Sequence, residues 1–405
     1  MPPLVGVIGK TNVGKSTFFA AATLLHVEIS NRPFTTIEPN IGIAYLRKKC
    51  VCRELGVKDN PRNSLCINGE RFIPVKLVDV AGLIPGAHKG RGLGNKFLDD
   101  LRQADALIHV IDASGGTDDE GRPVPPGTHD PLEDVLNIER EVDIWLYQIL
   151  KKDWQKLTRQ VDSGMKKLEE AIADRLAGLS IDRLAIIKAL KKTGLDNVKA
   201  SSIRDEELQL LASEIRKTAK PMIVAANKAD IPEAIDNIKK LQRELKDHIM
   251  VPVSALSELA LRKAATKGLI KYTPGDSSFE IVKKEQLTSE QLRALKYIEE
   301  RVLKVWGSTG VQQTINDAFF KLLDMIVVYP VEDHNKLTDH EGRVLPDAFL
   351  VKRGTTVREF AYKIHTDLGK TFLYAIDART KRRLGEDYIL KDNDIVKIVA
   401  AKARK

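Results

Sequence analysis

An eight-residue stretch near the amino terminus, GKTNVGKS from Gly9 to Ser16, carries the pattern G-x-x-x-x-G-K-S. Its glycines let backbone N–H groups wrap phosphate oxygens without interference from a Cβ atom. In this pattern the lysine, Lys15, neutralises phosphate oxygens, and the Ser16 hydroxyl coordinates Mg²⁺. The stretch therefore predicts a nucleotide-phosphate site whose contact residues are Gly9, Asn12, Val13, Gly14, Lys15, Ser16 and Thr17.

A second polar segment, Asp79-Val80-Ala81-Gly82, follows an apolar run. A carboxylate at Asp79 can hold Mg²⁺ through a water molecule. Gly82 leaves its backbone N–H free to meet a γ-phosphate. The segment is short, and its position after a buried run is what makes it informative.

A third segment, Asn227-Lys228-Ala229-Asp230, has the chemistry to read a base. The Asp230 carboxylate can accept from both N1–H and the exocyclic N2–H of guanine, whereas adenine would leave that charge unpaired. We expect Asn227 near N7 and the Lys228 stem over the base. Further along, Ser254 and Ala255 offer a backbone N–H to guanine O6. The set favours a guanine nucleotide.

Each of these segments follows a short apolar run that is typical of a buried strand. The runs are residues 4–8, 75–80, 106–111, 222–226 and 250–253. Strands that alternate with helical stretches predict an α/β, doubly wound sheet, and such sheets bind ligands at the carboxyl ends of their strands. Asn68-Gly69, between residues 64–67 and 72–78, predicts an antiparallel hairpin at one side.

The remaining sequence changes texture several times. Residues 118–126 are rich in Gly, Pro and Asp and predict a mobile surface loop. Asp130-Pro131 begins a helical pattern that continues to residue 219. From this we expect a nucleotide-binding domain over 1–129 and 220–256, a helical insert over 130–219, a helical connector over 257–325, and a β-rich module over 326–405, with one helix over 356–366.

The three cysteines, Cys50, Cys52 and Cys66, are too few for a disulfide framework. The Cys50-Val51-Cys52 spacing differs from that of a zinc knuckle, and no Cys/His pair follows at ligand spacing. We therefore expect reduced thiols in a cytoplasmic protein. The first residues, MPPLV, have no signal-peptide pattern, and no apolar run approaches the ~20 residues that span a bilayer.

The motif set resembles the Obg family of P-loop GTP-binding proteins, most specifically through FTTIEPN (34–40) and GLIPGAHKGRGLGN (82–95). The segment KFLDDLR (96–102) and the helical insert are similar to the YchF branch. The module from about Val327 resembles a TGS domain, a ubiquitin-like β-grasp fold. Because YchF proteins typically carry Asn-x-x-Glu where this chain has Asn-Lys-Ala-Asp, we expect GTP to be preferred over ATP, as in the archaeal and fungal sister group of YchF.

The resemblance also implies catalytic roles. Thr36, or else Thr35, is the expected switch threonine that binds Mg²⁺ and the γ-phosphate. The expected metal ligands are Ser16, Thr36 and Asp79, and the expected catalytic residues are Lys15, Thr36 and Gly82. Leu83 stands where Ras-like proteins have a water-positioning glutamine, so slow intrinsic hydrolysis is expected. Asn12 occupies the position of a cation ligand in potassium-activated relatives, and K⁺ binding here is a hypothesis.

The chain has 65 Lys and Arg against 56 Asp and Glu, a formal charge of +9, which permits a polyanionic partner but does not show one. The resemblance implies a GTPase switch that acts at the ribosome or its large-subunit RNA. Separately, we expect the protein to be a monomer. A basic cluster at Arg379, Lys381, Arg382 and Arg383 is either an RNA footprint or a solvated turn. The open alternatives are a nucleotide-gated RNA or protein binding module with incidental hydrolysis, and an ATPase with relaxed base specificity.

Overall fold

The computed structural model describes residues 3–23, 40–80 and 101–401, and at its centre lies a seven-stranded sheet. The strand order is β2-β4-β1-β5-β6-β7, and β3 also pairs with β4. The strands are β1 Leu4–Ile8, β2 Ile41–Lys49, β3 Leu65–Ile67, β4 Glu70–Asp79, β5 Ala106–Asp112, β6 Met222–Asn227 and β7 Ile249–Pro252. The five strands β4, β1, β5, β6 and β7 are parallel, which confirms the doubly wound α/β class.

The other two strands, β2 and β3, run antiparallel to β4. Asn68 and Gly69 join β3 to β4 with φ angles of 51° and 75°. Two consecutive positive φ angles are what a two-residue type I′ hairpin turn requires, so the predicted hairpin is present. The edge strand β2 was not predicted, because the basic residues that end it obscure its apolar pattern.

Two helices lie within the described residues 3–23 and 40–80, which precede β5, and five more lie between β5 and β6. The first two are α1 Lys15–Thr23 and α2 Val51–Leu55, and the five are α3 Pro131–Lys151, α4 Trp154–Asp162, α5 Leu168–Arg175, α6 Arg183–Thr193 and α7 Asp205–Ala219, with a 3₁₀ turn at Ala200–Ser202. Asp130 caps α3 by accepting from the Leu132 N–H at 3.1 Å, as its sequence predicts. Of the helices in the described ranges, none combines the length and apolar character needed to cross a membrane.

After β6 the chain forms α8 Ala234–Glu244, β7 and then a largely helical stretch. That stretch contains α9 Ala255–Thr266, α10 Ser289–Ile298, α11 Lys304–Trp306 and α12 Val311–Asp317, with a 3₁₀ turn at Lys284–Gln286 and π-helical segments at Glu299–Leu303 and Ala318–Leu322. An antiparallel pair of two-residue strands, β8 Ile270–Lys271 and β9 Glu280–Ile281, interrupts it. This strand pair lies within the segment expected as a helical connector, which therefore contains some β structure.

The carboxyl-terminal module is a five-stranded sheet in the order β11-β10-β14-β12-β13. Its elements are β10 Met325–Pro330, β11 Phe349–Lys352, α13 Val357–Ile364, α14 Thr366–Lys370, β12 Phe372–Asp377, β13 Arg383–Leu384 and β14 Ile395–Ala400. The prediction of one helix over 356–366 is wrong in one respect. His365 has extended backbone angles (φ −158°, ψ 137°) that end α13 and start the separate helix α14.

The hydrophobic cores do not follow the segments that the sequence suggests. One continuous core runs from Val5 on β1 and Phe18 on α1 through Phe319 to Tyr329 in the carboxyl-terminal sheet. A second core joins the sheet to the helices α3–α7. The connector and one face of the carboxyl-terminal module are thus packed onto the nucleotide-binding sheet, and the expected domain boundaries stay predictions.

His109 is a titratable group inside the sheet. It lies on β5 opposite Ile8 of β1 and is 1% exposed. Burial lowers its pKa to about 4. The folded protein therefore holds this imidazole neutral at a pH where an unfolded chain would protonate it.

We expect acid to destabilise the protein through His109. Because the pKa is depressed on folding, stability is retained above the unfolded pKa of about 6.5 and is lost as the pH falls from there towards 4. By pH 5 this group alone accounts for about 2 kcal/mol of lost unfolding free energy. Urea unfolding at pH 7.5 and pH 5 should show a smaller loss in His109→Gln than in the wild type. The exposed His340→Gln variant is the control, and an equal loss in both variants would contradict the assignment.

Candidate functional site

The glycine-rich loop lies between β1 and α1, and its backbone has the conformation that its sequence predicts. Gly14 has a φ of 93° and Asn12 a φ of 61°. A Cβ atom on Gly14 would lie 2.3 Å from Asn227 Nδ2, so this position accepts no larger residue without displacing that side chain. Helix α1 then begins at Lys15, which directs the N–H groups of its first turn towards the loop.

The Asn227 side chain joins the loop after β1 to the segments that are predicted to read the base. It is 4% exposed at the carboxyl end of β6. Its Nδ2 donates to the Val13 carbonyl at 2.8 Å, and its Oδ1 accepts from the Ala255 N–H at 3.0 Å. One side chain therefore sets the distance between the loop after β1 and the start of α9.

The Asp230 carboxylate, which is predicted to read the base, is held in place by Ser254 of the other predicted base-contact segment. Ser254 Oγ donates to Asp230 Oδ1 at 2.7 Å. Tyr297 donates from its hydroxyl to the Asp230 carbonyl at 3.1 Å, and Trp306 Nε1 donates to the Ala229 carbonyl at 3.0 Å. Sequence analysis did not identify Tyr297 or Trp306 as supports, because both lie in the connector, about 70 residues away along the chain.

The structure changes the expectation for the O6 contact. The Ala255 N–H already donates to Asn227, and the Ser254 N–H donates to the Thr309 carbonyl at 2.9 Å. The next N–H, that of Leu256, belongs to the first turn of α9, where N–H groups have no intrahelical partner. Guanine O6 would therefore share the Ala255 N–H or use that of Leu256, a residue that sequence reasoning missed.

These segments line one cavity of about 680 Å³. Its lining residues are Lys10, Thr11, Asn12, Gly14, Lys15, Ser16, Thr17, Asn227, Lys228, Asp230, Ile231, Ser254, Ala255 and Leu256. The structure thus brings together most of the residues that the sequence predicts at the site. Gly9 and Val13 belong to the same loop, where the Gly9 position faces the Val110 carbonyl and Val13 is buried.

Lys15 and Asp79, which the sequence assigns to phosphate and magnesium, form an ion pair with each other. Asp79 is the last residue of β4, and Lys15 is the first of α1. A bound Mg²⁺-nucleotide would exchange this ion pair for contacts from Lys15 to phosphate and from Asp79 to the metal shell. Thr35, Thr36, Gly82 and Leu83 lie outside the described residues.

A loop after β5 supports the site from the side, and the sequence did not indicate this role. Lys10 Nζ donates to the Thr117 carbonyl of this loop at 3.0 Å, and to Asp134 Oδ1 on the following helix α3 at 2.7 Å. Asn12 Nδ2 donates to the Gly121 carbonyl at 2.8 Å. The stretch expected as a surface loop is largely exposed, yet it is anchored directly to the phosphate loop.

Asp112 is a further site residue that sequence reasoning missed. It ends β5, is 1% exposed, and pairs with Lys228 Nζ at 2.6 Å. Ser114 Oγ and Thr117 Oγ1 also donate to it, at 2.6 and 3.1 Å. Its place at the end of a buried strand, like that of Asp79, was the available signal. Asp112 orients Lys228, whose φ of 61° is unusual for a non-glycine residue.

A doubly wound sheet with this loop after its first strand defines the class of P-loop nucleotide-binding proteins. Family models agree. Residues 4–228 match a family described as 50S ribosome-binding GTPase, residues 225–333 match the Obg-like GTPase YGR210-like, G4 motif-containing domain, and residues 341–400 match the TGS domain.

Whole-chain similarity agrees with the family matches. The chain is 55% identical to the GTP-binding protein MJ1332 of Methanocaldococcus jannaschii, with 98% of this chain and 99% of the relative covered. It is 27% identical to the ribosome-binding ATPase YchF of Mycoplasma genitalium, with 96% and 97% covered. The crystal structure of a GTP-binding protein from Pyrococcus horikoshii matches with a TM-score of 0.79 and 46% identity, over 98% of this chain and 99% of that one. The chain belongs to the Obg-like P-loop GTPases, in their YchF-like branch with a carboxyl-terminal TGS domain.

We expect Asn227→Ala to weaken nucleotide binding and the fold together. The change leaves the Val13 carbonyl and the Ala255 N–H without this partner, at a cost of about 1–3 kcal/mol each. GDP affinity, measured by calorimetry, should fall about 10- to 100-fold. Asn237→Ala is the matched control, since that amide makes a similar bond to the Ala113 carbonyl (2.9 Å) but does not line the cavity. Equal GDP affinity in both variants would show that the bridge has no role in binding.

Proposed function

We propose that the protein binds GTP and hydrolyses it to GDP and phosphate, as a Mg²⁺-dependent switch that acts at the ribosome. The observation that carries the proposal is the Asp230 carboxylate, held by Ser254 in the same cavity as Lys15 and Ser16. A carboxylate in that position accepts from two donors of guanine and meets an acceptor on adenine. This favours GTP over ATP, although bacterial relatives such as that of Mycoplasma genitalium are named ATPases.

The donors beside the phosphate loop suit a magnesium ion. Ser16 supplies a hydroxyl and Asp79 a carboxylate, both hard oxygen donors, and Thr36 completes the proposed set. When bound, the ion neutralises charge on the β- and γ-phosphate oxygens. The Lys15 ammonium, which is paired with Asp79 in this structure, would add a second positive charge beside the phosphate oxygens.

This chain has Leu83 where Ras-like proteins have a water-positioning glutamine. Another group must therefore support hydrolysis by stabilising the transition state. We propose that the backbone N–H of Gly82 contacts the γ-phosphate and that Asn12 helps to bind K⁺. The amide nitrogen of Asn12 is engaged with the Gly121 carbonyl, which leaves its Oδ1 as the atom suited to a cation. A cation there would take the place of an arginine finger.

The ribosome is the partner we propose, and the names of the relatives support it. The basic cluster in the carboxyl-terminal module contributes less than its sequence suggests. Arg379 pairs with Glu54 at 2.9 Å, and Lys381 Nζ donates to the His334 carbonyl at 2.5 Å. Arg383 stacks on Tyr374, 4.5 Å from the ring centre. Of this cluster, Arg382 and the exposed face of Arg383 are best placed to contact RNA phosphates.

We expect Asp230→Asn to exchange guanine for xanthine. The amide cannot accept from both guanine donors, but its N–H₂ can donate to the C2 carbonyl of xanthine. GDP affinity should fall about 100-fold while xanthosine diphosphate affinity rises, as measured by calorimetry. Asp236→Asn, an exposed carboxylate on α8, is the control and should change neither affinity. Unchanged GDP binding in Asp230→Asn would remove the base-reading assignment.

We expect GTP turnover to be slow in the isolated protein and stimulated by ribosomes from an organism that encodes it. Phosphate release should be measured in KCl and in NaCl, with and without ribosomes, using Lys15→Ala as the inactive control. Stimulation by ribosomes supports the switch. Tight GDP binding without stimulation would keep the nucleotide site and reject the ribosome as the activator, and equal rates in both salts would reject K⁺.

A further inference from the structure

The three cysteines of the chain meet at one point, outside the nucleotide cavity. Cys50 precedes helix α2, Cys52 lies in its first turn, and Cys66 lies on β3. The loop that joins α2 to β3 adds Asp59. The three sulfur atoms and a carboxylate oxygen of Asp59 all lie within 4.8 Å of one another. Sequence spacing does not show this, because the hairpin and the loop supply the third and fourth groups.

The distances within this cluster match a tetrahedral metal site. Tetrahedral zinc with Zn–S bonds of about 2.3 Å and a Zn–O bond of about 2.0 Å places two sulfur ligands roughly 3.8 Å apart, and a sulfur and an oxygen roughly 3.5 Å apart. Cys52 Sγ lies 3.8 Å from Cys66 Sγ, and Cys50 Sγ lies 3.2 Å from Asp59 Oδ2. The four groups therefore need only small adjustments to surround one ion.

The surroundings suit a negatively charged metal complex. Cys50 and Cys52 are 3% and 6% exposed, so the site is shielded from water. Three thiolates and one carboxylate around a divalent ion carry two net negative charges. The guanidinium of Arg71, which is fully buried, donates to Asp59 Oδ2 at 2.7 Å and offsets one of them.

We propose that Cys50, Cys52, Cys66 and Asp59 bind a structural zinc ion. On binding, each thiol loses its proton to solvent and its sulfur donates an electron pair to Zn²⁺, while the Asp59 carboxylate donates through one oxygen. No atom changes its oxidation state. Soft thiolate donors in a tetrahedral set select zinc over Mg²⁺ or Ca²⁺.

The ion would brace the contact between the nucleotide-binding sheet and the carboxyl-terminal module. The loop between Cys52 and Cys66 carries that contact. Within it, Asn60 N donates to the Val344 carbonyl at 2.9 Å, and Arg62 N donates to the Pro346 carbonyl at 2.6 Å. The Asn63 side chain exchanges two hydrogen bonds with the backbone of Ala348, at 3.1 and 2.9 Å.

Arg71 extends the same connection from the metal cluster itself. Its Nη2 donates to the Leu345 carbonyl at 2.5 Å, and its guanidinium lies 5.5 Å from the centre of the Tyr329 ring. Because Asp59 is both a proposed ligand and the partner of Arg71, a bound ion would hold the loop and Arg71 against the carboxyl-terminal module.

Two other states of the thiols are possible outcomes of a test. Free thiols would stay protonated at neutral pH, since burial raises the pKa of Cys50 and raises that of Cys66 to about 12. A disulfide between Cys52 and Cys66 would remove two of the four ligands. Each state differs from zinc binding in metal content and in mass.

The test begins with the full-length wild-type protein, purified without added metal and dialysed. Elemental analysis should find about one zinc per chain. After a chelator has removed the zinc, added Co²⁺ should bind in its place. The cobalt form should show the intense visible and near-ultraviolet absorption of a tetrahedral cobalt thiolate. Native mass spectrometry separates the alternatives. A metal-free chain that takes up no Co²⁺, or a mass reduced by two hydrogens, would overturn the proposal.

Variants then locate the site. Cys66→Ser should lose the zinc and the cobalt absorption, and Asp59→Asn should weaken zinc affinity about tenfold or more. Asp347→Asn is the matched control, because Asp347 pairs with Arg62 across the same junction but is not a ligand. It should keep one zinc per chain. If Cys66→Ser does not fold, the chelator and cobalt titration of the wild type decides the question. If Cys66→Ser is soluble and retains zinc, the proposed ligand set is rejected.

Discussion

The hydrogen bonds of the buried Asn227 side chain hold the two ends of the nucleotide cavity at a constant separation. Its amide nitrogen bonds the loop after β1, and its oxygen bonds the start of α9. The absence of a Cβ on Gly14 makes this approach possible, since one would lie 2.3 Å from the Asn227 nitrogen. The loop predicted to bind phosphate and the segments predicted to read the base are therefore positioned by one buried amide, whose polar atoms cannot be left unpaired at low cost.

Around this amide, the site is organised by charges taken out of water. Lys10 pairs with Asp134 at 2.7 Å, and Lys228 pairs with Asp112 at 2.6 Å. Such pairs contribute little net stability, but removing one partner is costly because it leaves an uncompensated buried charge. They fix geometry instead. Asp112 ends β5 and Asp134 lies on α3, so these pairs tie the cavity to the elements on either side of the loop after β5. The loop itself belongs to the site although most of it is exposed, because its carbonyls accept hydrogen bonds from Lys10 and Asn12.

The structure also joins parts that the sequence separates. A continuous core extends from the nucleotide-binding sheet through the connector into the carboxyl-terminal module. Polar contacts follow the same path, since Arg71 reaches from Asp59 to the Leu345 carbonyl. A change at the nucleotide has a packed route to the carboxyl-terminal module through this junction, whereas modules joined by flexible linkers would lack one.

The sequence by itself determined the class of the fold, the five parallel strands of the main sheet and most of the cavity-lining residues. It could do so because Gly14, Lys15 and Asp230 act through local backbone freedom and charge, which short motifs record. Only the tertiary structure decided which distant groups meet. Strand order places Asp112 beside Lys228, and packing of the connector places Tyr297 against Asp230. Closure of the hairpin brings Cys66 to Cys50 and Asp59. No local pattern encodes those contacts, since each depends on elements that lie far apart along the chain.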